Sequence, residues 1–404
     1  MKLLTIGISI RLYTPNSGGL QHHAASLIRH LRERGHNVII VTRAVTRAPS
    51  YQDFFYFSES ASDFSQIDPN LKILRHPRFL NPVMGLVMKC AGRAKLQALA
   101  IKIYKFIYAG KMEKYFRGVN IIHHVGSGAE MIGFAAASAA RNLGVPFVVQ
   151  PTIHPGQWGD SKIDFELYRI ADELLAHTNY EKKFFERNGL SNAISVVGNG
   201  IDGRQDGNGE RFRARFGVTG PMVLFVGRKE TDKGYPIVVE AFNLLKQKLE
   251  NVSLVCIGPG KPAVTSFKEI IELGFLDEAT KQDALAACDL LCVPSEAESF
   301  GLIYMEAACY RKAILARRLP VLDELLGVEN AAVLVGKNGA MDNRVEVSAT
   351  ELAVEMERML SNPAEQKHLG DNAYRVSRKF LWPIIADHFE KAYQQHQQPP
   401  EASL

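Results

Sequence analysis

At 404 residues the chain is too long for one ordinary hydrophobic core and suits two domains of roughly 200 residues each. With 46% hydrophobic and 23% charged residues it reads as a globular protein, and no window approaches the roughly 18 uninterrupted apolar residues of a membrane span. The formal charge of +5 is uneven: from Lys72 to Arg117 there are eleven basic residues and one acid, Glu113, a local +10 that leaves −5 for the remainder.

The opening "MKLLTIGISIRLYTP" has a short apolar run interrupted by Arg11 and no small-residue cleavage site, so it reads as a first buried strand and not as a leader. A loop, "TPNSGG", joins it to "LQHHAASLIRHLRERG", whose apolar residues recur at helical spacing up to Gly35. The strand "NVIIVT" follows and completes a βαβ opening. The runs "NIIHHV", "FVVQP", "ELLAHT" and "ISVVGN" continue a parallel, helix-covered sheet. The Gly-, Asn- and Asp-rich "GNGIDGRQDGNGERFRARFG" reads as a linker. The order then restarts with strands "PMVLFVGR", "VSLVCIG", "IIELGFL", "LLCVPS" and "AILA" alternating with helices, a second doubly wound domain. The final "QQHQQPPEASL" is simply polar, the composition of a disordered tail.

Ligands of such sheets bind where the carboxyl ends of the strands converge, and three stretches fall there. Gly18 and Gly19 let the backbone approach a ligand beside a helix N-terminus, although such a pair is more often a plain tight turn and the pattern is not GxGxxG. Arg228 and Lys233, in "FVGRKETDKGYP", would clamp a diphosphate from two sides, or form a solvated charged loop. In "PSEAESFGLIYMEAACYRKAILA", Ser299 is expected to cap a helix starting near Phe300, turning the amides of Phe300, Gly301 and Leu302 outward. Glu298 at its mouth and Glu306 two turns on would stand on the order of 10 Å apart. That exceeds the roughly 5 to 9.5 Å of a glycosidase acid and base. It suits an elongated ligand with hydroxyls at both ends and negative charge between, such as a nucleotide sugar. The plainer alternative makes Glu306 a half-exposed helix residue and Glu298 a capping residue.

These residues resemble a known family. "PSEAESFGLIYMEA" is similar to the Glu, seven residues, Glu motif of the family 4 retaining glycosyltransferases. "TPNSGGLQHHAASLIRHLRERGHNVIIVT" resembles their N-terminal glycine loop and first helix, "VVGNGID" their interdomain signature, "VLFVGRKETDKG" their phosphate clamp and "LWPIIADHFEKAY" their crossing C-terminal helix. The resemblance implies the α/β GT-B fold: two facing Rossmann-like domains around a deep cleft, here an acceptor domain over 1–200 and a donor domain over 201–380. A helix over 381–395 would return to the first domain, followed by the tail 396–404. It implies transfer of a hexosyl sugar from a UDP- or GDP-linked donor to a hydroxyl acceptor with retention of configuration. By the same token Glu298 would contact the donor sugar, Glu306 the ribose, Arg228 and Lys233 the diphosphate, Gly19 the donor phosphates, and His154 in "PTIHPGQWGDS" the sugar and acceptor side. Catalytic roles fall to Glu298, His154, Arg228 and Lys233, and donor binding also to Phe300, Gly301 and Leu302. Such enzymes usually need no metal or other cofactor, and the chain has no Asp-x-Asp to hold a metal.

The sequence also departs from the family. "EAACYRKAILA" places Arg311 and Ala313 where a Gly and a Pro are usual, and "RRLPVLDELLG" replaces a glycine-rich turn near the donor sugar, with Glu324 as a candidate for a later donor-side acid. An altered donor or backbone is expected there. From 83 to 115 long apolar residues interleave with lysines at helical spacing, which fits either a basic amphipathic face on an anionic membrane or core helices with solvated lysines. The acceptor would be lipid-linked in the first case and a soluble sugar, cyclitol or metabolite in the second. A sugar-phosphate phosphorylase or epimerase, or a non-catalytic nucleotide-sugar binding protein, would use related contacts. No nucleic-acid motif accompanies the basic segment. The five cysteines, without a CxxC pair or an even count, fit a reducing cytosol.

Overall fold

The computed structural model describes residues 2–13, 18–44, 68–203, 206–263, 267–338 and 345–397. Positions 14–17, most of the "TPNSGG" loop, lie outside these, as do two linker residues and the polar tail beyond Gln397. The chain forms two compact units, one running to Gly200 and resuming at Trp382, the other spanning Ile201–Leu381.

The first unit holds β1 (Thr5–Leu12), α1 (Gly19–Glu33), β2 (Asn37–Ala44), β3 (Leu71–Ile73), α2 (Asn81–Ala91), α3 (Gln97–Tyr115), β4 (Ile121–Val125), α4 (Ile132–Leu143), β5 (Phe147–Gln150), α5 (Lys162–Tyr168), β6 (Glu173–Ala176), α6 (Asn179–Arg187) and β7 (Ala193–Val196). Its seven strands are parallel in the order β3-β2-β1-β4-β5-β6-β7. Ile6, Ile8 and Ile10 are fully buried, and so are Gly7 and Ser9 between them. Helices therefore cover both faces, as a parallel sheet requires. The helix α1 ends where Gly35 adopts φ 90°, its amide bonded to Arg32 O at 2.9 Å.

The second unit holds α7 (Gly209–Phe216), β8 (Met222–Val226), α8 (Tyr235–Lys246), β9 (Ser253–Ile257), β10 (Ile270–Leu273), α9 (Glu278–Ala287), β11 (Leu290–Val293), α10 (Leu302–Cys309), β12 (Ala313–Arg317), β13 (Val333–Val335), α11 (Ala349–Leu360) and α12 (Pro363–Ser377). Six parallel strands run in the order β10-β9-β8-β11-β12-β13. Both sheets reverse direction beside their first strand, between β1 and β4 and between β8 and β11. Ligands of doubly wound sheets sit outside the carboxyl ends at such switch points.

The last helix, α13 (Trp382–Gln395), belongs to the first unit. Trp382, Phe389 and Tyr393 are buried there, and Tyr393 OH meets His123 Nδ1 at 2.8 Å. A Cβ on Gly200 would lie 2.3 Å from the Trp382 indole, so the contact tolerates only glycine. Arg34 donates to Asp387 and Glu390 at 2.5 and 2.7 Å, and His36 Nε2 meets Glu390 at 2.8 Å. Among the described residues no helix is long and apolar enough to cross a membrane.

Candidate active site

In the second unit the loops after β8 and β11 flank the switch point. The first carries Arg228 and Lys233, the second Glu298. A single 3-10 turn, Thr231–Lys233, ends at Gly234 with φ 74°. A Cβ there would sit 2.6 Å from Pro294 O, so glycine is what lets the two loops touch. Glu296 N donates to Asp232 O at 2.8 Å across the same seam. The result is a direct pair, Lys233 Nζ to Glu298 Oε1 at 2.7 Å, joining residues 65 positions apart. Arg228 is half exposed and holds Glu230 and Asp232 from its own loop.

The helix after Glu298 differs from expectation. Ser299 does not cap it: α10 starts at Leu302, its N-cap is Gly301 at φ 86°, and no side chain caps it. A Cβ at Gly301 would meet the Tyr304 ring at 2.5 Å, and the Tyr304 hydroxyl donates to Val293 O at 2.7 Å. This tight turn, closed by the tyrosine onto β11, displaces the capped start. Of the three amides expected to open the helix, only that of Leu302 lies in its first turn. Phe300 is buried with its ring 5.1 Å from that of Phe380.

Glu306 projects from α10 to Lys281 on α9, Nζ to Oε2 at 2.7 Å, and Lys281 also reaches Glu278 at 3.0 Å. Burial alone would lower the pKa of Lys281, but Glu306 and Glu278 outweigh it and raise it. Sequence reasoning missed Lys281, which stands 25 positions before its partner; the acid three residues before it, Glu278, was the only local signal.

Arg311 takes φ 56° in the position where the family has glycine. Its guanidinium stacks 3.9 Å over Tyr374 and pairs with Asp371 at 2.6 Å. It lies past the C-terminal end of α10, and Ala313 opens β12, so both stand at the amino edge of the sheet, opposite the ligand edge. The replaced turn does stand at the carboxyl edge: Arg317 donates to Pro294 O at 3.2 Å, and Arg318 pairs with Asp323 at 2.7 Å in the π-helical turn Asp323–Gly327 that also carries Glu324.

The first unit holds Gly19 and His154. Gly19 opens α1, and Gly18 before it is extended at φ 176°. His154 follows β5 in a turn closed by two backbone bonds to Trp158, at 2.9 and 3.0 Å, and the two rings stack at 4.5 Å. Sequence reasoning also missed Glu130, in the loop after β4. Burial, the largest influence, raises its pKa to about 7 against the opposing pull of Arg11. Its Oε2 is buried without a hydrogen-bond partner and lies 2.1 Å from where a Gly126 Cβ would sit, so this glycine makes its room.

The chain matches two family models in series: Glycosyltransferase Family 4 over residues 17–205 and Glycosyl transferases group 1 over residues 208–376. It is 30% identical over 224 residues to a D-inositol 3-phosphate glycosyltransferase of Corynebacterium efficiens, a match covering 50% of each chain. It is 24% identical over 212 residues to a phosphatidyl-myo-inositol mannosyltransferase of Mycobacterium tuberculosis, covering 50% of this chain and 54% of the relative. The match thus spans about half the length of these relatives. Its fold is similar to that of Anabaena HepE, solved in complex with UDP-glucose: TM-score 0.71, 17% identity, 97% of this chain and 100% of the other.

Proposed function

The chain belongs to the family 4 glycosyltransferases, with the Rossmann-like units of the GT-B fold, and on that premise we propose that it transfers a hexosyl sugar from UDP or GDP to a sugar or cyclitol hydroxyl with retention of configuration. The observation that carries this reading is the Lys233–Glu298 pair across the second unit's switch point. It supports the reading because a cation suited to phosphate and a carboxylate suited to sugar hydroxyls stand side by side, as the junction of a nucleotide sugar would require. In this reading Arg228 and Lys233 exchange their carboxylate partners for the diphosphate and stabilise the charge it gains as the sugar–oxygen bond breaks. Glu298 accepts hydrogen bonds from the sugar and Glu306 from the ribose. Leu302 N, Phe300 and Gly301 line the donor's path, and Gly19 and His154 serve the phosphate and acceptor side from the first unit. The acceptor oxygen forms the new bond on the face the diphosphate leaves, and its proton passes to the departing phosphate oxygen. The two cations supply the positive charge the leaving group needs, so no metal is required.

A panel of UDP-, GDP-, ADP- and dTDP-sugars tests the proposal by thermal shift and by turnover with a sugar or cyclitol. One donor is expected to stabilise the protein and be consumed faster with acceptor present, and EDTA is expected to leave the rate unchanged. Donor consumption that ignores every acceptor, or no stabilisation by any nucleotide sugar, contradicts it.

We further propose a peripheral contact with anionic membranes through 83–115. Leu99, Lys102 and Phe106 share one face of α3, and Phe106 is 91% exposed. A large ring in solvent beside exposed lysines suits a lipid interface better than water. Removing Lys95, Lys102 and Lys105 together is expected to reduce sedimentation with anionic liposomes, and a wild-type chain that does not sediment at low salt ends this idea.

A further inference from the structure

Next to Arg228 stands a second cation of opposite habit. Arg228 is half exposed, whereas the side chain of Lys229 is 2% exposed. The Lys229 amide donates to Pro259 O at 2.8 Å and that of Gly227 to Ile257 O at 2.9 Å, so the pairing of β8 with β9 runs on past their ends. From there the lysine stem crosses the loop after β9. Gly260, at φ 126°, makes the room: a Cβ on it would lie 2.7 Å from Lys229 Cβ. The ammonium ends at β10, where it meets Glu272 Oε2 at 2.6 Å and donates to Leu273 O at 3.0 Å. The other Glu272 oxygen accepts from the Tyr235 hydroxyl at 2.5 Å, and that hydroxyl accepts from the Ala263 amide at 2.7 Å. One lysine, one carboxylate and one phenol thus tie together the loops after β8 and β9, the end of β10 and the first turn of α8.

Stability alone does not account for this network. Taking two charges out of water is costly, and apolar side chains of similar volume in place of a buried pair are often neutral or stabilising. What an ion pair with fixed partners can add is one defined geometry. The geometry at stake lies at the two ends of the network. On one side Lys229 fixes the peptide from which Arg228 projects, with Lys233 four residues further along the same loop. On the other, Leu273 leads through Gly274 to Asp277, whose Oδ1 caps α9 by accepting from Thr280 N at 2.8 Å, and the next residue, Lys281, meets Glu306 at 2.7 Å. Gly258 N donates to Gly274 O at 3.1 Å and holds that exit as well. Lys229 therefore lies between the cations assigned to the diphosphate and the carboxylate assigned to the ribose.

We propose that Lys229, Glu272 and Tyr235 are positioning residues: they hold the diphosphate cations at a fixed distance from Glu306, so that both ends of a nucleoside diphosphate are gripped at once. The assignment rests on the donor reading above. Its physical basis is preorganisation. A ligand that spans two sites gains from their linkage only while their separation matches its length, whereas a ligand that fills one of them gains nothing.

The test replaces the pair by apolar side chains, Lys229→Met with Glu272→Leu in one full-length chain, and compares two-ended with one-ended ligands by calorimetric titration and competition. UDP, GDP, ADP and dTDP are two-ended; inorganic pyrophosphate and the corresponding nucleosides are one-ended. The double variant is expected to unfold near the wild-type temperature and to bind the preferred nucleoside diphosphate about 10- to 100-fold more weakly, with its affinity for pyrophosphate and for the nucleoside unchanged. Lys229→Met alone strands Glu272 and is expected to lower the unfolding temperature as well. Unchanged nucleoside diphosphate affinity in the double variant overturns the proposal, and so does an equal loss for two-ended and one-ended ligands, which would mark a merely structural pair. Should the double variant not fold, Tyr235→Phe, which removes one hydroxyl, carries the same comparison with the same refuting outcomes. A wild-type chain that binds no nucleoside diphosphate removes the donor reading and this assignment with it, whereas one that binds it independently of the network removes only the assignment.

Discussion

Lys281→Met deletes an ammonium and keeps most of its stem. The charge lies 2.7 Å from Glu306 Oε2 and 3.0 Å from Glu278 Oε1, and the Lys281 and Glu306 side chains are only 19% and 17% exposed. At an effective dielectric constant of about 20, the gross attraction at that shorter distance is about 6 kcal/mol. Desolvating the two ions costs several kcal/mol each, so a net coupling of about 1 to 3 kcal/mol is what survives. Removing the lysine alone leaves Glu306 partly buried beside a second carboxylate and is expected to cost about 3 kcal/mol of stability. On the proposed reading, in which Glu306 binds the ribose, its carboxylate also loses the group that positions it, so UDP affinity is expected to fall about tenfold, or about 1.4 kcal/mol. A double-mutant cycle with Glu306→Gln measures both, by urea unfolding and by UDP calorimetry. A coupling below about 0.5 kcal/mol, or unchanged UDP affinity in Lys281→Met where Glu306→Gln lowers it, refutes the positioning role.

Glu130 gives a pH signature. Its folded pKa of about 7 exceeds that of an unfolded glutamate, so the stability tied to its neutral form is fully present below about pH 4.5 and is lost as pH rises through 7. Glu130→Gln is expected to remove a loss on the order of 2 to 3 kcal/mol between pH 5 and 8 in urea unfolding; parallel pH profiles in the two proteins would show the carboxyl is not buried as described. Arg311→Ala keeps the left-handed backbone and loses the Tyr374 stack and the Asp371 pair, for an expected loss of about 1 kcal/mol. Arg311→Gly relieves the backbone and should unfold at a temperature nearer the wild type, and neither change should move the KM for donor.

Much of both sheets could be read from alternating apolar runs, because buried parallel strands are short, dense and punctuated by helices. The three-residue β3 and β13 escaped, being too short to show a period, and β3 follows a stretch whose placement is outside the described residues. Within the candidate site, Lys233 and Glu298 could be named from motif resemblance, but their contact depends on the glycine at 234, which appears in sequence as an ordinary turn residue. The cap was misread because Ser299 satisfies the local rule, whereas Gly301 and Tyr304 set the turn through the packing of α10 on β11. Lys281 and Glu130 were invisible for a different reason: each matters through a partner far along the chain. Lys229 looks like one more cation of a charged loop until the fold buries it against Glu272.

The helix α13 has a consequence for how the protein is made. During synthesis the seven strands of the first unit emerge first, but the continuous unit from Ile201 to Leu381 is complete before the first unit is, because the latter still lacks Trp382, Phe389 and Tyr393 of its last helix. The segment that emerges first is thus the last able to close its core. Until the ribosome passes Gln395, Gly200 has no indole to pack against and Arg34 and His36 have no carboxylates to meet. A stop codon at Trp382 would therefore spare the unit beside it and damage the half of the molecule farthest from it in sequence.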